Sequence, residues 1–175
     1  MRHAARALIL AAALGTALAG FIPASAQAGT ARITFVAPQN YTDGNLGWAP
    51  VDQRLTLEGL TRIIERLAAT RLPPGDTLEV SVLNLDLAGM INPLASRTGT
   101  LRVMREDTWP SIKLAYTLRR DGRVLARGEE TIRSLNYLMD PVAVRSVDPL
   151  RFEKALLTRW FTTTLRPYLA TGAQG

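Results

Sequence analysis

The sequence predicts a two-layer α+β single domain, with a mixed or antiparallel sheet packed by two main helices. Three observations predict it. A β-rich run, an amphipathic helix and an alternating strand follow one another between residues 32 and 87. Two further alternating segments flank Asp121-Gly122, the signature of a tight hairpin turn. The chain then closes on a helix whose apolar residues recur at three- and four-residue steps. The strand–helix–strand opening implies a right-handed crossover, and the hairpin demands antiparallel pairing elsewhere in the sheet.

Each element has a local cause. Arg32 to Ala37 is a short β-rich run closed by Pro38. A polar loop from Gln39 to Asp52 follows, and the first helix is expected from Gln53 to Thr70 with Asp52 as its cap. Leu57, Leu60, Ile63, Ile64 and Leu67 fall on one face of that helix, and Leu72-Pro73-Pro74-Gly75 stops it. Leu78, Val80 and Val82 alternate with polar residues, after which the apolar parity slips to Leu83, Leu85 and Leu87. A one-residue slip of this kind predicts a β-bulge or a strand buried on both faces. Residues 88–100 read as loop and Leu101 to Met104 as a short strand. Ile112, Leu114, Tyr116 and Leu118 alternate into the hairpin turn, and Val124 to Ile132 is the returning arm. Asp148-Pro149 is expected to open the closing helix, in which Phe152, Leu156 and Trp160 face the sheet, and Pro167 ends it.

The first 26 residues read as a secretory signal peptide rather than as part of the domain. Arg2, His3 and Arg6 precede an uncharged run from Ala7 to Ala19, and Ala24-Ser25-Ala26 offers a small-x-small cleavage site, with Ala28 as a second. The apolar run is too short to span a membrane comfortably. Removing 26 of the 175 residues leaves 149, a single domain from 27 to 175 with residues 170–175 expected to be a disordered tail. His3 is the sole histidine and cysteine is absent, so the processed chain would hold neither. That composition excludes Ser-His-Asp and Cys-His nucleophilic schemes, ordinary zinc, copper and haem sites, disulfides and cysteine lipidation. The processed chain is therefore expected to be exported, soluble and not lipidated. No transmembrane segment is expected after the leader, and the oligomeric state is not legible.

Several motifs in order carry a resemblance. They are Phe35-Val36 with Tyr41-Thr42-Asp43, Leu72-Pro73-Pro74-Gly75, Asp86-Leu87-Ala88-Gly89, Arg102-Val103-Met104-Arg105 and Thr108-Trp109-Pro110. Asn136-Tyr137-Leu138, Phe152-Glu153-Lys154 and Trp160-Phe161 continue the set. In these pieces, spread from about residue 31 to 165, the chain resembles the bacterial exported proteins of domain-of-unknown-function family 3016. It departs from that pattern at Ser134, where an acidic residue is common, and at Phe152, where Tyr is usual. The resemblance implies a signal-bearing, periplasmic protein and no activity, so it carries no catalytic residue over.

The chemistry-bearing residues that remain are carboxylates, hydroxyls, two lysines and 17 arginines after the leader. Asp43, Asp86 and Asp107 lie at predicted strand ends, where converging carboxylates would hold calcium or act as an acid/base pair. Their spacing fits no calcium loop, and Asp also favours turns for local reasons. Arg102 and Arg105, with Arg97 before them, suit phosphate or carboxylate recognition, although neighbouring acids make a mixed-charge surface the simpler reading. Trp109, Tyr137, Tyr41 and Trp48 are candidates for an aromatic-lined groove, or else for core packing. Ser111 and Lys113 form a Ser-x-Lys, but both lie opposite Ile112 and Leu114, on a face where a lysine stays solvated. Nucleic acid is rejected as a partner, because the processed chain carries 19 basic against 15 acidic residues, a net +4, with no aromatic–basic interleaving.

The expectation is thus a non-catalytic periplasmic binding or interaction module, probing an envelope protein or an anionic envelope component. Its contact residues are Asp43, Asp86, Arg102, Arg105, Asp107, Trp109, Asn136 and Tyr137. No metal and no cofactor is expected. The alternatives are a carboxylate-dependent enzyme or calcium-binding domain using Asp43, Asp86 and Asp107, and a small-molecule binder built around an apolar cavity.

Overall fold

A computed structural model describes residues 28–43, 50–95, 97 and 101–169. The proposed leader, Trp48 and residues 170–175 lie outside them. The domain is α+β, as the patterning predicts. Strand β1 (Thr30–Phe35) leads to helix α1 (Pro50–Arg71) and strand β2 (Asp76–Asp86). Two short strands follow, β3 (Met90–Ile91) and β4 (Arg102–Val103). The hairpin is β5 (Ser111–Arg120) with β6 (Arg123–Arg133), and helix α2 (Arg151–Thr163) closes the fold. The main sheet has the order β1-β2-β5-β6, and β3 and β4 form a separate ribbon. β1 runs parallel to β2 while β5 is antiparallel to both of its neighbours, so the sheet is mixed.

The register follows from the side-chain pattern. Leu78, Val80 and Val82 are buried on the helical face, the ladder to β5 shifts between Val82 and Asn84, and Leu85 resumes the buried series. The parity slip in the sequence is therefore a β-bulge at Leu83, the extra residue that re-aims the strand. The hairpin turn places Asp121 at φ 49° and Gly122 at φ 79°. Both central residues are left-handed, the condition for a two-residue turn whose twist matches the strands.

The principal core joins Leu60, Ile64, Leu67 and Ala68 of α1 and Leu156, Leu157, Trp160 and Phe161 of α2 to the inward residues of β2 and β5. Tyr116 and Phe161 each meet the Trp160 ring edge-on, with centroids 5.5 and 5.3 Å apart. The other face of the sheet is polar, with cross-strand ion pairs Lys113–Glu129 at 2.9 Å and Arg119–Glu79 at 3.6 Å. Lys113 is thus half-exposed and already paired, without the desolvation a Ser–Lys scheme requires.

Several boundaries differ from the sequence reading, among them the end of α2, which stops at Thr163 and leaves Pro167 in a separate 3-10 turn, Arg166–Tyr168. β1 begins at Thr30, because parallel pairing of Thr30 with Thr77 extends it backwards. α1 begins at Pro50 rather than Gln53, which puts Asp52 inside the first turn, where its charge still favours the helix N-terminus. Residues 88–100 are not all loop, since Met90–Ile91 pairs with Arg102–Val103. α2 begins at Arg151, because the Asp148 carboxylate accepts the Leu150 N–H at 2.9 Å in an Asx turn and holds Pro149 outside the helix. Phe152 consequently leaves the sheet and packs in a second small core with Ala88, Tyr137 and Ala143. No helix among the described residues is long and apolar enough to cross a membrane.

Candidate functional site

The end of the sheet where β2 and β6 stop and β5 begins carries most of the polar residues singled out in the sequence. The bulge in β2 creates the first anchor. Beyond it, residues 41–43 run beside the strand. Tyr41 donates its hydroxyl to the Val82 carbonyl at 2.7 Å, Thr42 and Asn84 exchange side-chain hydrogen bonds, and the Asp43 N–H reaches the Leu85 carbonyl at 3.0 Å. Burial pushes the Tyr41 hydroxyl above its ordinary pKa, with the Val36 backbone acting in the opposite direction.

Asp43 is delivered by this zipper to the turn after β2. One carboxylate oxygen accepts the Leu87 N–H at 2.6 Å, and the pair of oxygens meets the Arg102 guanidinium at 3.1 and 3.3 Å. Arg102 also donates to the Gly89 carbonyl at 2.6 Å, so one guanidinium ties residues 43, 89 and 102 together. Its planar fork suits that double task, which a lysine would not perform. Gly89 sits at φ +77°, and a Cβ there would meet the Val103 carbonyl oxygen at 2.7 Å. Only glycine lets the turn pass so close to β4.

Glu153 completes the cluster from below. It stands in the first turn of α2, is 2 % exposed, and accepts the Ala88 N–H at 2.8 Å. Burial pushes its carboxyl above the ordinary glutamate range, while the Ala88 hydrogen bond and Arg102 pull it back and Asp43 adds to the rise. Asp86 is shifted the same way, first by burial, then by Asp43, with Arg102 opposing. Asp43 touches the Arg102 guanidinium directly, and Asp86 and Glu153 feel its charge from further off. Glu153 was absent from the sequence-derived site, although Glu153, Leu157 and Trp160 share one helical face by spacing, a signal that an acid had been placed on a buried stripe.

Tyr137 holds the adjoining loop. Its hydroxyl accepts the Arg105 N–H at 3.0 Å and donates to the Arg105 carbonyl at 2.8 Å, and Thr108 closes the same turn. The ring lies edge-on to Phe152, with centroids 4.7 Å apart, and Trp109 packs half-buried against this second core. The Tyr137 hydroxyl is thus spent on the Arg105 backbone, and both rings serve packing rather than an open groove. Asn136 is exposed beside Tyr137 and precedes a single 3-10 turn. Arg105 and Asp107 point outwards, 62 % and 77 % exposed, and pair loosely with each other at 3.8 Å.

The structure therefore brings Asp43, Asp86, Arg102 and Glu153 together, seats Tyr137 and Trp109 beside them, and leaves Arg105, Asp107 and Asn136 at the rim. Asp107 does not join the other two aspartates around Arg102. Among the described residues no three acidic side chains are placed to hold a metal ion.

Every segment of this end coincides with a motif already singled out: residues 41–43, 86–89, 102–105, 108–110, 136–138 and 152–154. A family model for proteins of unknown function, DUF3016, matches residues 29–163. The chain belongs to the DUF3016 family. No curated protein and no solved structure gives a significant match. In this DUF3016 domain the matched span begins just before β1 and ends with α2, so it contains the sheet, both helices and the whole Arg102 cluster.

Proposed function

We propose that this DUF3016 protein is an exported, non-catalytic binding module that docks an envelope protein through the loops at the Arg102 end of its sheet. One observation carries the proposal. Of the twelve large apolar side chains left exposed among the described residues, eight lie in residues 90–101 and 135–147. They include Leu94, Met139, Val142 and Val147, at 96 %, 81 %, 76 % and 97 % exposure. The second core and the Tyr137 hydroxyl tie the later segment to Ala88 and to residues 104–109, which flank the earlier one in the chain. Apolar side chains concentrated on pinned loops, with Arg105 and Asp107 on the rim, have the make-up of a protein interface: an apolar centre and a polar margin.

The carboxylate alternative draws on Asp43 and Asp86, the second of which is raised in pKa first by burial and then by the charge of the first. Against it, Asp43 already accepts hydrogen bonds from Leu87 and Arg102, and Glu153 has no exposure through which to reach a substrate. A calcium titration separates the readings, since a ligand that binds the native state raises the melting temperature by mass action.

The direct test is a photoreactive residue at Met139, compared with one at Val124 on β6, crosslinked in cells and read by mass spectrometry. The proposal expects one dominant envelope partner at Met139 and none at Val124. Capture of that partner should be lost when Leu135 and Met139 are both changed to Ser with folding intact. Equal capture at both positions, or none at Met139 in folded protein, would overturn it.

A further inference from the structure

We propose that the groove between α1 and α2 binds a phosphate-bearing anion that carries an apolar stem. The groove has a volume of about 380 Å³, room for on the order of a dozen waters, which exceeds the needs of a lone oxyanion. Its walls bring Arg62, Arg66 and Arg71 from α1 opposite Lys154 from α2, and Asp148 is the single acid among the lining residues. Its floor is Ile63, Leu67 and Leu150.

The charges are arranged at a cost to the free protein. Arg62 and Arg66 stand four apart on one helix, a like-charge spacing that destabilises a helix. Arg62 has only a loose, exposed pair with Glu58 at 3.8 Å, and Lys154 a loose one with Asp148 at 3.9 Å. Among the described residues neither Arg66 nor Arg71 has a carboxylate within ion-pair distance. Three guanidiniums and one ammonium converging on a concave surface raise the local concentration of anions, and guanidinium forks match phosphate oxygens in pairs.

The apolar floor is built by the same contact that shapes the groove. A Cβ on Gly59 would lie 2.5 Å from Leu150 Cδ1, so the absence of a side chain at 59 is what lets Leu150 press against α1. A cationic wall over an apolar floor selects a ligand with both properties. A phosphate ester on an alkyl chain has them, either as a lipid headgroup or as a soluble amphiphile.

The test uses monomeric dodecyl phosphate, with inorganic phosphate and dodecyl maltoside as partial probes, followed by amide chemical shifts. Dodecyl phosphate is expected to perturb residues 59–71 and 148–158, to bind more tightly than either partial probe, and to weaken as salt is raised. The double variant Arg66→Gln/Arg71→Gln should raise Kd about tenfold or more, worth roughly 1.4 kcal/mol. Arg127→Gln, which removes an exposed charge beside Thr117 on the open face of the sheet, should leave Kd unchanged. Should the double variant unfold, Arg66→Gln alone, at an exposed position, serves in its place. Vesicles containing phosphatidylglycerol, compared with phosphatidylcholine, then assign the source. Pelleting with the first alone, lost in the double variant, makes it a lipid headgroup, and dodecyl phosphate binding without pelleting makes it a soluble ester. The proposal is overturned if dodecyl maltoside binds as tightly as dodecyl phosphate, if the shifts fall outside the groove, or if Arg127→Gln weakens binding as much as the double variant.

Discussion

Replacing Arg102 with Met tests whether the loop end is held by charge or by packing. Met keeps most of the apolar stem and removes the guanidinium. The structure supplies the ledger: the pair to Asp43 at 3.1 and 3.3 Å and the bond to the Gly89 carbonyl at 2.6 Å. Charged hydrogen bonds of this kind contribute ~1.5–3 kcal/mol each. Two circumstances reduce the sum, because both side chains are about one-fifth exposed and Asp43 keeps the Leu87 N–H after the change. A third increases it, because Asp43, Asp86 and Glu153 lose the cation they share. The expected loss is about 2–4 kcal/mol, well above the ~0–1 kcal/mol of a surface pair. For a domain near 150 residues this corresponds to a fall in Tm of roughly 6–12 °C. Urea unfolding of the wild type, Arg102→Met, Asp43→Asn and the double variant closes a thermodynamic cycle. A coupling energy of at least ~1 kcal/mol is expected for partners in direct contact. A loss below ~0.5 kcal/mol, or strict additivity, would show that solvent already satisfies both groups and would refute the tie.

Three further perturbations probe the same end. Glu153→Gln keeps the oxygen that accepts the Ala88 N–H and removes the titration. Since the Glu153 pKa is raised in the folded state, its stability contribution is full below the ordinary glutamate range and is lost as pH rises through the raised value. The Tm of the variant relative to wild type should therefore climb as pH rises above the ordinary glutamate range, and a flat difference would show that the folded-state titration is ordinary. Gly89→Ala should cost more than Gly75→Ala in urea unfolding. Both glycines have positive φ, a strain of ~1–2 kcal/mol for alanine, but only at Gly89 would the new Cβ meet a backbone oxygen, and equal losses would show that the loop yields freely. Tyr137→Phe should cost ~1–3 kcal/mol and speed hydrogen exchange at Arg105, whose N–H loses a buried acceptor, and unchanged exchange there would mean that Thr108 alone suffices.

How far the sequence reached depended on whether the cause was local. The bulge was legible because Leu78, Val80 and Val82 give way to Leu83, Leu85 and Leu87, a change of parity that only a register shift reconciles with one buried face. The hairpin was legible because Asp-Gly is among the few pairs that accept two left-handed residues in succession. The β3–β4 ribbon was half legible, since two-residue strands are too short to show a period. The start of α2 misled because Asp-Pro opens helices and Asx turns alike, and which one forms depends on where the following chain packs. The Arg102–Asp43 tie spans 59 residues and leaves no local pattern, so the residues could be named from the sequence but not their pairing. Glu153 is the instructive omission, for its burial was implied by periodicity while its partner, the Ala88 N–H, belongs to a loop 65 residues away.

The cluster's bonding supports the proposed reading of this end as a scaffold for docking loops. Burial raises the Glu153 carboxyl first and foremost, and Asp86 is raised in the same way, with the charge of Arg102 opposing both. A catalytic acid with a raised pKa would have to meet a substrate, yet Glu153 is 2 % exposed and its oxygen is spent on the Ala88 N–H. Asp43 is likewise spent on Leu87 and Arg102. What these bonds accomplish is to fix the backbone at residues 87–89, 102–108 and 137 against one another, at the loop bases from which Leu94, Met139 and Val142 project. Holding exposed apolar side chains in a set arrangement lowers the entropy that a partner must overcome, and preorganisation of this kind is the contribution a binding loop needs from its base.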